Sequence, residues 1–476
     1  MAFDEYSQYD GLGLAELVRN GEVQPSELVE AAIERIEKHN GTLNAVVHKA
    51  YDQAREAAAG DLPDGAFRGV PFLIKDLGCP VAGMPRTSGS VFLQHEVPGE
   101  DAELVRRYRA SGVILLGKTN TPEFGITGTT ESALLGPCRS PWNPQHISGG
   151  SSGGSASATA AGMVPLAHAS DGLGSIRIPA ACCGLFGLKT TRERNPDGPS
   201  HGERFVGFSV DHVVSRSVRD SAAMLDATAY PEPGMPYPSL AKEGPFLAEV
   251  SRNPGRLRIA FSAETPSGRP IHAENQRALE ETVSLLTSLG HELVEKKIDV
   301  DYRALYRAQA AIGACNAAAS LDAMIERVGR EPREEELEPL TWAGIRVGRK
   351  LKGDHVLTAS RTLRQLCVEI LAFFEDFDVF VNPVMGTPPP PIGYIDPVRL
   401  DTKEIGRRQS QAFPFTPPFN FTGQPAMSVP LCMSSEGLPL GLQFAGRYGD
   451  ETTLFRLAGQ LEQASPWAGR KPQVWS

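Results

Sequence analysis

The sequence predicts an α/β protein in which buried strands of a mixed sheet alternate with helices. The stretches GVPFLIKD (69–76) and GVILLGKTN (112–120) are short apolar runs, which suit buried strands. Between them, EDAELVRRYRASG (100–112) has the polar character of a surface helix. A strand, a helix and a second strand in this order are typical of a βαβ unit, and the alternation returns in the second half of the chain.

The N-terminal section, about residues 1–65, is predicted to be mainly helical. QPSELVEAAIERIEKHNG (24–41) starts with a proline where helices tolerate one, and we expect Gly41 just past the helix end. Its apolar residues form one helical stripe, made of Leu28, Val29, Ala32, Ile33 and Ile36. LNAVVHKA (43–50) then predicts a strand and YDQAREAAA (51–59) a second helix.

The second half of the chain shows the same alternation without an internal repeat. The segments that predict strands are GRLRIAFSA (255–263), HELVEKKI (291–298), FDVFVNPV (377–384, ending at Pro383), PAMSVPL (425–431) and LGLQFAG (440–446). The segments that predict helices are AENQRALEETVSLLTSLG (273–290) and DETTLFRLAGQLEQA (450–464). The charged stretch GREPREEELEPL (329–340) is interpreted as a solvated helix start or linker. We expect one domain over 1–476, with a core of about 66–230 and a second lobe of about 245–476.

The composition limits the classes of partner and location. The 476 residues are 41% hydrophobic and 22% charged and carry a formal charge of −10, and no basic run indicates nucleic-acid binding. No stretch approaches the roughly 20 apolar residues of a membrane helix. The start, MAFDEYSQYDGLGLAELV, lacks the apolar region of a signal peptide. The seven scattered cysteines predict reduced thiols in the cytoplasm, and without a CxxC or His/Cys cluster no metal site is expected.

Two clusters of small residues raise the question of chemistry. Gly149–Ser155 precedes a stretch that is helix-like up to Gly162, and glycines before a helix can turn backbone N–H groups towards an oxyanion. In Asp171–Ser175, a serine follows glycines that allow close approach to a ligand. The alternative is that these glycines only shape tight loops.

Known motifs explain the first cluster poorly. A phosphate-binding P-loop requires a lysine after the second glycine, and none follows Gly154. The segment Gly149–Gly153 matches the nucleophile elbow G-x-S-x-G, but the preceding PWNPQHI lacks the strand that an elbow requires.

Lys75 ends the apolar run 70–74. Desolvation there favours the neutral amine, which can act as a general base. A lysine that reaches the surface or pairs with the adjacent Asp76 is the alternative.

Six segments together resemble the amidase signature family, and the resemblance spans nearly the whole chain. They are GVPFLIKD (69–76), GKTNTPEFG (117–125), SGGSSGGSA (148–156), DGLGSIRIPAACCGLFGLKTT (171–191), PFNFTGQPAMSVPL (418–431) and GLPLGLQFAG (437–446). The resemblance implies a large mixed central sheet covered by helices on both faces. It also implies a serine hydrolase of carbon–nitrogen bonds that needs neither a metal nor another cofactor.

The resemblance further implies a catalytic triad. Ser175 is the expected nucleophile, Ser151 the bridging serine after a cis peptide bond, and Lys75 the base, so that an acyl-enzyme forms on Ser175. The backbone N–H groups of Gly172, Leu173, Gly174 and Ser175 are the expected oxyanion donors. Supporting roles around the site are expected for Ser152, Asp171 and Arg177.

The sequence departs from the family pattern at one glycine. The family usually has D-x-G-G-S, whereas Leu173 stands here before Gly174. The oxyanion N–H is kept, but a leucine would be strained if this position required a positive φ. Its side chain could enter the acyl pocket, so the departure puts the substrate range in question.

Within the family, the chain resembles the branch of 6-aminohexanoate cyclic-dimer hydrolases and urethanase-like enzymes. This implies linear or cyclic amides, anilides or carbamates as small-molecule substrates, and Gly125 and Cys315 as pocket residues. A buried structural cysteine is the alternative for Cys315. A tRNA amidotransferase subunit, an esterase-leaning member and a non-catalytic binding protein stay open as alternatives. Either a monomer or a homodimer is expected.

Overall fold

Eleven strands form one central mixed sheet in a computed structural model that describes residues 3–198, 203–233, 235, 240–242 and 244–475. The strands in chain order are β1 Val46–Lys49, β2 Pro71–Lys75, β3 Ile114–Thr119, β4 Glu131–Ser132, β5 Gly136–Pro137, β6 Leu166–Asp171, β7 Phe186–Lys189, β8 Val210–Ser215, β9 Arg258–Phe261, β10 Glu292–Glu295, β11 Val379–Pro383, β12 Ala426–Met433 and β13 Pro439–Gly446. The short strands β4 and β5 pair separately from the large sheet.

The strand order across the sheet is β1-β3-β2-β6-β8-β7-β12-β13-β11-β9-β10. Strand β2 runs parallel to β3 and β6, and β9 runs parallel to β10 and β11. The other pairs in this sheet are antiparallel. The prediction of an α/β protein with a large mixed sheet is therefore confirmed.

The helices pack on this sheet and on one another. In chain order they are α1 Gly11–Arg19, α2 Pro25–Leu43, α3 Tyr51–Ala59, α4 Glu103–Ala110, α5 Gly153–Ala160, α6 Arg177–Cys183, α7 Val218–Thr228, α8 Phe246–Glu249, α9 Ala273–Ser288, α10 Tyr302–Val328, α11 Pro339–Gly348, α12 Gly353–Asp376, α13 Thr402–Ala412, α14 Pro418–Thr422 and α15 Glu451–Ala464. Turns of 3₁₀ helix occur at Tyr6–Gln8, Val91–Leu93, Glu123–Gly125, Phe205–Gly207 and Glu334–Glu336.

Helix α2 differs from the prediction at its C-terminus. It begins at Pro25, as expected, but continues through Gly41 to Leu43. The following Asn44 adopts the left-handed conformation (φ 51°, ψ 43°) that ends many helices, and asparagine tolerates it better than most residues. The prediction that Gly41 follows the helix end is therefore wrong.

The charged stretch 329–340 is less solvated than predicted. Glu336 is 2% exposed and forms ion pairs with Arg330 and Arg333. Glu338, immediately before α11, is 6% exposed. This segment starts a helix, as expected, but tertiary contacts bury two of its carboxylates.

Strands from all three predicted sections join the one large sheet. Strand β1 comes from the N-terminal section, β7 from the core and β12 from the second lobe, and β7 pairs directly with β12. We propose that the three sections fold as one domain. Over the ranges that the structure describes, no helix has the length and apolar character needed to cross a membrane.

Candidate active site

Lys75 is the last residue of β2 and is completely buried. Its Nζ lies 2.7 Å from Ser151 Oγ and 2.9 Å from Ser170 Oγ. Burial holds the pKa of Lys75 well below its ordinary value, and nearby Arg204 adds to this effect while Asp171 opposes it. Burial therefore favours the neutral form of an amine that lies between two hydroxyl groups.

The adjacent Asp76 does not neutralise Lys75. Its carboxylate accepts a hydrogen bond from Thr87 Oγ1 at 2.5 Å and lies 3.8 Å from Nζ of Lys118, a lysine of β3. The alternative of a surface lysine or a Lys75–Asp76 pair is therefore excluded by burial and by the partners of Asp76.

The glycines before Ser151 occupy positions where a side chain would collide. A Cβ on Gly149 would lie 2.7 Å from Pro179 Cα, and one on Gly150 would lie 2.6 Å from the Thr129 carbonyl oxygen. Gly149 also has a φ of +76°, which favours glycine. The Gly150–Ser151 peptide bond is cis. The first glycine cluster therefore lets a tightly packed loop bring Ser151 to Lys75.

Ser152 connects this loop to β6. Its hydroxyl lies 3.2 Å from both the carbonyl oxygen and the backbone nitrogen of Ser170, accepting from the N–H and donating to the C=O. Since Ser170 also contacts Lys75, Ser152 helps to set the distance between the lysine and the two serines.

Asp171, at the end of β6, organises the loop that carries Ser175. Its buried carboxylate accepts hydrogen bonds from the Gly174 N–H at 2.6 Å and the Ile176 N–H at 3.2 Å, and from the Arg177 guanidinium at 2.9 and 3.0 Å. The Asn420 amide donates to it at 2.9 Å. Burial opposes ionisation, but the Arg177 charge together with the hydrogen bonds from Arg177 and Asn420 outweighs it and holds the pKa of Asp171 below its ordinary value.

We expect Asp171→Asn to destabilise the fold strongly. The change leaves the Arg177 guanidinium buried without a counter-charge, which typically costs about 3–5 kcal/mol. The free energy of unfolding, measured by urea denaturation, is expected to fall by that order. Asp52→Asn is the matched control, because Asp52 pairs with Arg55 at 3.5 Å but its side chain is 99% exposed. Equal losses in the two variants would contradict the assignment.

One of the four N–H groups of the loop 172–175 has an acceptor in this structure. The Gly174 N–H is bonded to Asp171 in this conformation, so its role as an oxyanion donor stays a prediction. For the N–H groups of Gly172, Leu173 and Ser175, no acceptor is found within the described ranges. These three groups are left as candidate donors.

Leu173 does not occupy the strained conformation that was considered. It is not among the residues with a positive φ, whereas Gly174 has a φ of +129°. A Cβ on Gly174 would lie 2.2 Å from Thr416 Oγ1, so glycine is required there. The Leu173 side chain lines the main cavity, and its carbonyl accepts a hydrogen bond from Thr416 at 2.7 Å.

A cavity of about 1340 Å³ adjoins these residues. Ser151, Ser170 and Ser175 all line it, together with the N–H-bearing loop 172–173. In the part of the chain that the structure describes, the hydroxyls of Ser151 and Ser175 are not hydrogen-bonded to each other. Apolar side chains from several elements form much of the wall, among them Leu77, Phe124, Phe205, Met324, Ile345 and Phe413.

The two further pocket residues differ in their placement. Gly125 lines the cavity, and a Cβ there would lie 3.0 Å from Ser151 Oγ and 2.7 Å from Leu77 Cδ2. Cys315 does not line it: its Sγ lies 3.9 Å from the Gly348 carbonyl oxygen of α11, while Ala314 and Asn316 face the cavity. The helical rotation of α10 thus turns Cys315 towards α11 in this structure, and its role in the pocket stays a prediction.

Two residues next to Lys75 escaped the sequence analysis. Ser170 immediately precedes the D-G-L-G-S motif and lies with Asp171 on β6, so its position beside the motif was the available signal. The ring of His168 accepts the Lys75 backbone N–H at Nδ1 (3.2 Å) and donates from Nε2 to Asp211 Oδ1 (3.0 Å). Burial lowers the pKa of His168 well below its ordinary value, so the ring is neutral. Among the described residues no cluster of potential metal ligands occurs.

Comparison with known proteins places this geometry in context. A sequence profile of the family described as Amidase matches residues 27–455. The 6-aminohexanoate-cyclic-dimer hydrolase of Paenarthrobacter ureafaciens is 35% identical, over 98% of this chain and 96% of the relative. The putative amidase AmiB2 of Mycobacterium tuberculosis is 38% identical over 97% of both chains. A solved structure of 6-aminohexanoate cyclic dimer hydrolase with substrate superposes with a TM-score of 0.94, at 34% identity and 99% coverage of both chains.

Proposed function

Since this chain belongs to the amidase signature family, we propose that it cleaves its substrates through an acyl-enzyme formed on Ser175. The chain is an amidohydrolase that acts on carbon–nitrogen bonds other than peptide bonds. One observation carries the proposal for the mechanism: the fully buried amine of Lys75 contacts the Ser151 hydroxyl at 2.7 Å, beside a cavity that Ser175 also lines.

The proposed reaction begins with a relay of protons. The neutral Lys75 amine takes the proton of the Ser151 hydroxyl, and Ser151 Oγ takes the proton of Ser175. Ser175 Oγ then attacks the substrate carbonyl carbon and gives a tetrahedral intermediate. This step requires a Ser151–Ser175 hydrogen bond, and in many enzymes such bonds form only in the complex with substrate.

The second half of the reaction returns the proton. Ser151 donates it to the leaving nitrogen as the C–N bond breaks, and Lys75 then reprotonates Ser151. Water attacks the resulting ester of Ser175 with the same base, which releases the acid and restores the Ser175 hydroxyl. We assign stabilisation of the oxyanion to the N–H groups of Gly172, Leu173 and Ser175, each typically worth about 3–4 kcal/mol in the transition state.

The proposed substrates are linear or cyclic amides, anilides and carbamates, the last corresponding to urethanase activity. The cavity volume of about 1340 Å³ exceeds the roughly 300–1,000 Å³ of common ligand pockets. Its largely apolar wall favours substrates with long aliphatic or aryl groups. Two relatives at 35% identity are 6-aminohexanoate-cyclic-dimer hydrolases, which supports a cyclic amide among the proposed substrates.

We further propose a cytoplasmic enzyme that works as a monomer or homodimer, without nucleic acid. All seven cysteines are free thiols and six are buried, as is typical of proteins from a reducing compartment. The acidic charge of −10 disfavours binding to nucleic acid.

Turnover of a substrate panel by the purified chain alone tests the proposed function. The panel contains aliphatic amides, anilides, carbamates and matched esters, and released amine is measured directly. We expect cleavage of amides and anilides without an added subunit. Cleavage of esters alone, or amide cleavage only after a partner protein is added, would contradict the proposal and support an esterase or an amidotransferase subunit.

We expect Leu173→Gly to change the substrate range more than the chemistry. The variant keeps the backbone N–H at position 173 and removes a side chain that lines the cavity. Removing this apolar contact is expected to lower kcat/KM roughly tenfold for anilides that fill the cavity, since a buried leucine contributes about 1.5–3 kcal/mol. Steady-state kinetics with propionamide give the control, for which a change below about threefold is expected. A similar loss with both substrates would contradict a role confined to the pocket.

A further inference from the structure

A buried group of hydrogen-bonded residues, called the joint, links the loop behind Ser151 (residues 123–125) to helix α11. It consists of Ser90, Glu123, Glu338 and Thr341. Gly125 lies against Ser151, as its hypothetical Cβ at 3.0 Å from Ser151 Oγ indicates. Two residues earlier, Glu123 is only 3% exposed although it carries a carboxyl group. Helix α11 contributes Thr341 and Ile345 to the cavity wall. The joint therefore connects the reacting end of the cavity to one of its walls.

The Glu123 carboxylate accepts hydrogen bonds from three places in the fold. Ser90 Oγ donates to Oε1 at 2.8 Å. The backbone N–H of Glu338, which precedes α11, donates to Oε2 at 2.8 Å, and Thr341 Oγ1 donates to the same oxygen at 2.5 Å. Glu123 thus caps the N-terminus of α11 from a position more than 200 residues away in sequence.

Apolar contacts surround this polar joint. Phe92, Leu93, Leu321, Leu337 and Ile345 form one buried cluster, with Phe124 packed against it. Apolar contacts have little directional preference, whereas hydrogen bonds to a carboxylate fix orientation. The position of α11 relative to the Ser151 loop therefore depends on Glu123 more than on the surrounding cluster.

A second carboxyl group, that of Glu338, lies at the same joint. It accepts the Ala133 N–H at 2.8 Å. Burial, followed by the neighbouring carboxylates of Glu123 and Asp396, raises the pKa of Glu338 to about 8, so it stays protonated at neutral pH. Burial also raises the pKa of Glu123, while its three donors oppose this shift. Glu123 accepts hydrogen bonds from all three of these donors, and this favours its charged form.

We propose that Glu123 is a positioning residue that holds α11 against the loop behind Ser151 and thereby determines how well the cavity accepts bulky amides. The inference rests on the proposed function of this cavity. A short amide reaches Ser175 without filling a space of about 1340 Å³, whereas a bulky anilide extends to the wall that α11 provides. Loss of the joint should therefore affect bulky substrates selectively.

Two variants and a conservative control test this role with propionamide and the anilide of octanoic acid. In Glu123→Gln and in the nearly isosteric Thr341→Val, kcat/KM for the anilide is expected to fall roughly tenfold, mainly through KM, as for loss of a hydrogen bond to a charged group. Propionamide turnover is expected to change less than about twofold, since no apolar wall is needed for it. Thr341→Ser keeps the hydroxyl that donates to Glu123 and should keep more of the anilide turnover than Thr341→Val. Glu335→Gln changes a carboxylate that is 70% exposed and does not line the cavity, and it should retain the parent values.

Two kinetic outcomes would overturn the proposal. Equal losses for both substrates would indicate general damage to the site, and parent values for the anilide in Thr341→Val would show that the joint does not position α11. Thr341→Val decides the question even if Glu123→Gln fails to fold.

Hydrogen exchange supplies a readout that does not depend on turnover. We expect the backbone amide hydrogens of residues 338–348 to exchange faster in Thr341→Val than in Thr341→Ser. Equal exchange rates in the two variants would overturn the role of Glu123. This comparison holds even if the chain cleaves no amide, a result that would refute the proposed function alone.

Discussion

Replacing Ser175 with alanine is expected to reduce amide turnover by roughly 10⁴–10⁶-fold, the range found when a nucleophile is removed. Without the Oγ atom no acyl-enzyme can form, and water would have to attack the amide directly. Released amine is measured at saturating substrate. The fold should be unaffected, because Ser175 lines the cavity and makes no side-chain hydrogen bond within the described ranges.

Two controls separate this effect from general damage. Ser284→Ala removes an exposed hydroxyl of α9 that does not line the cavity, and it is expected to retain activity within about twofold, as most surface changes away from a reacting group do. Phenylmethylsulfonyl fluoride should modify the parent at Ser175, as peptide mass spectrometry can locate. Modification of Ser151 or another serine, with Ser175 untouched, would contradict the assignment of the nucleophile.

Lys75→Met is expected to lower kcat by about 10²–10⁴-fold, the usual contribution of a general base. In the parent, kcat/KM should fall as the pH drops through the depressed pKa of Lys75, because the protonated amine cannot accept a proton from Ser151. Methionine has no group that titrates, so this dependence should vanish from the residual activity. A variant with the same pH profile and near-parental rates would exclude Lys75 as the base.

Stability provides the control for this variant. Folding a lysine whose pKa is lowered requires release of a proton, so its cost grows as the pH falls from the unfolded pKa towards the folded one. Lys75→Met removes this cost and should be at least as stable as the parent, with a margin that increases towards acidic pH. Lys118→Met is the contrast. Burial also lowers the pKa of Lys118, but Lys118 lies 3.8 Å from Asp76, and its loss would leave that buried carboxylate without a counter-charge, so stability should fall while most of the chemistry is retained.

Local sequence patterns predicted eight of the eleven strands of the large sheet, whereas β6, β7 and β8 were not predicted. The apolar run before Lys75 indicates a buried strand without information from distant parts of the chain. The burial of Lys75 follows from its place at the end of that run. The glycines before Ser151 and before Ser175 signal close backbone approach, and the structure shows which atoms a side chain would hit. These features depend on neighbours in sequence, which is why they could be predicted.

Features that depend on distant partners were not predictable from the sequence. Glu123 and Glu338 look like solvated charges until tertiary contacts place one beside the other. Cys315 lies in an alanine-rich helix without a clear apolar stripe, so nothing in the sequence indicated the direction in which its side chain points. The use of the Gly174 N–H by Asp171 likewise depends on a turn geometry that composition does not specify.

The hydrogen bonds of Arg177 have a consequence for how the protein is made. This guanidinium binds Asp171 nearby, but also Asn420 and Gln443, which lie 243 and 266 residues further along the chain. Almost the entire polypeptide must therefore be synthesised before the loop that carries Ser175 can adopt its final conformation. We therefore expect nascent chains to be inactive until synthesis is nearly complete, and a product truncated before Asn420 to stay inactive.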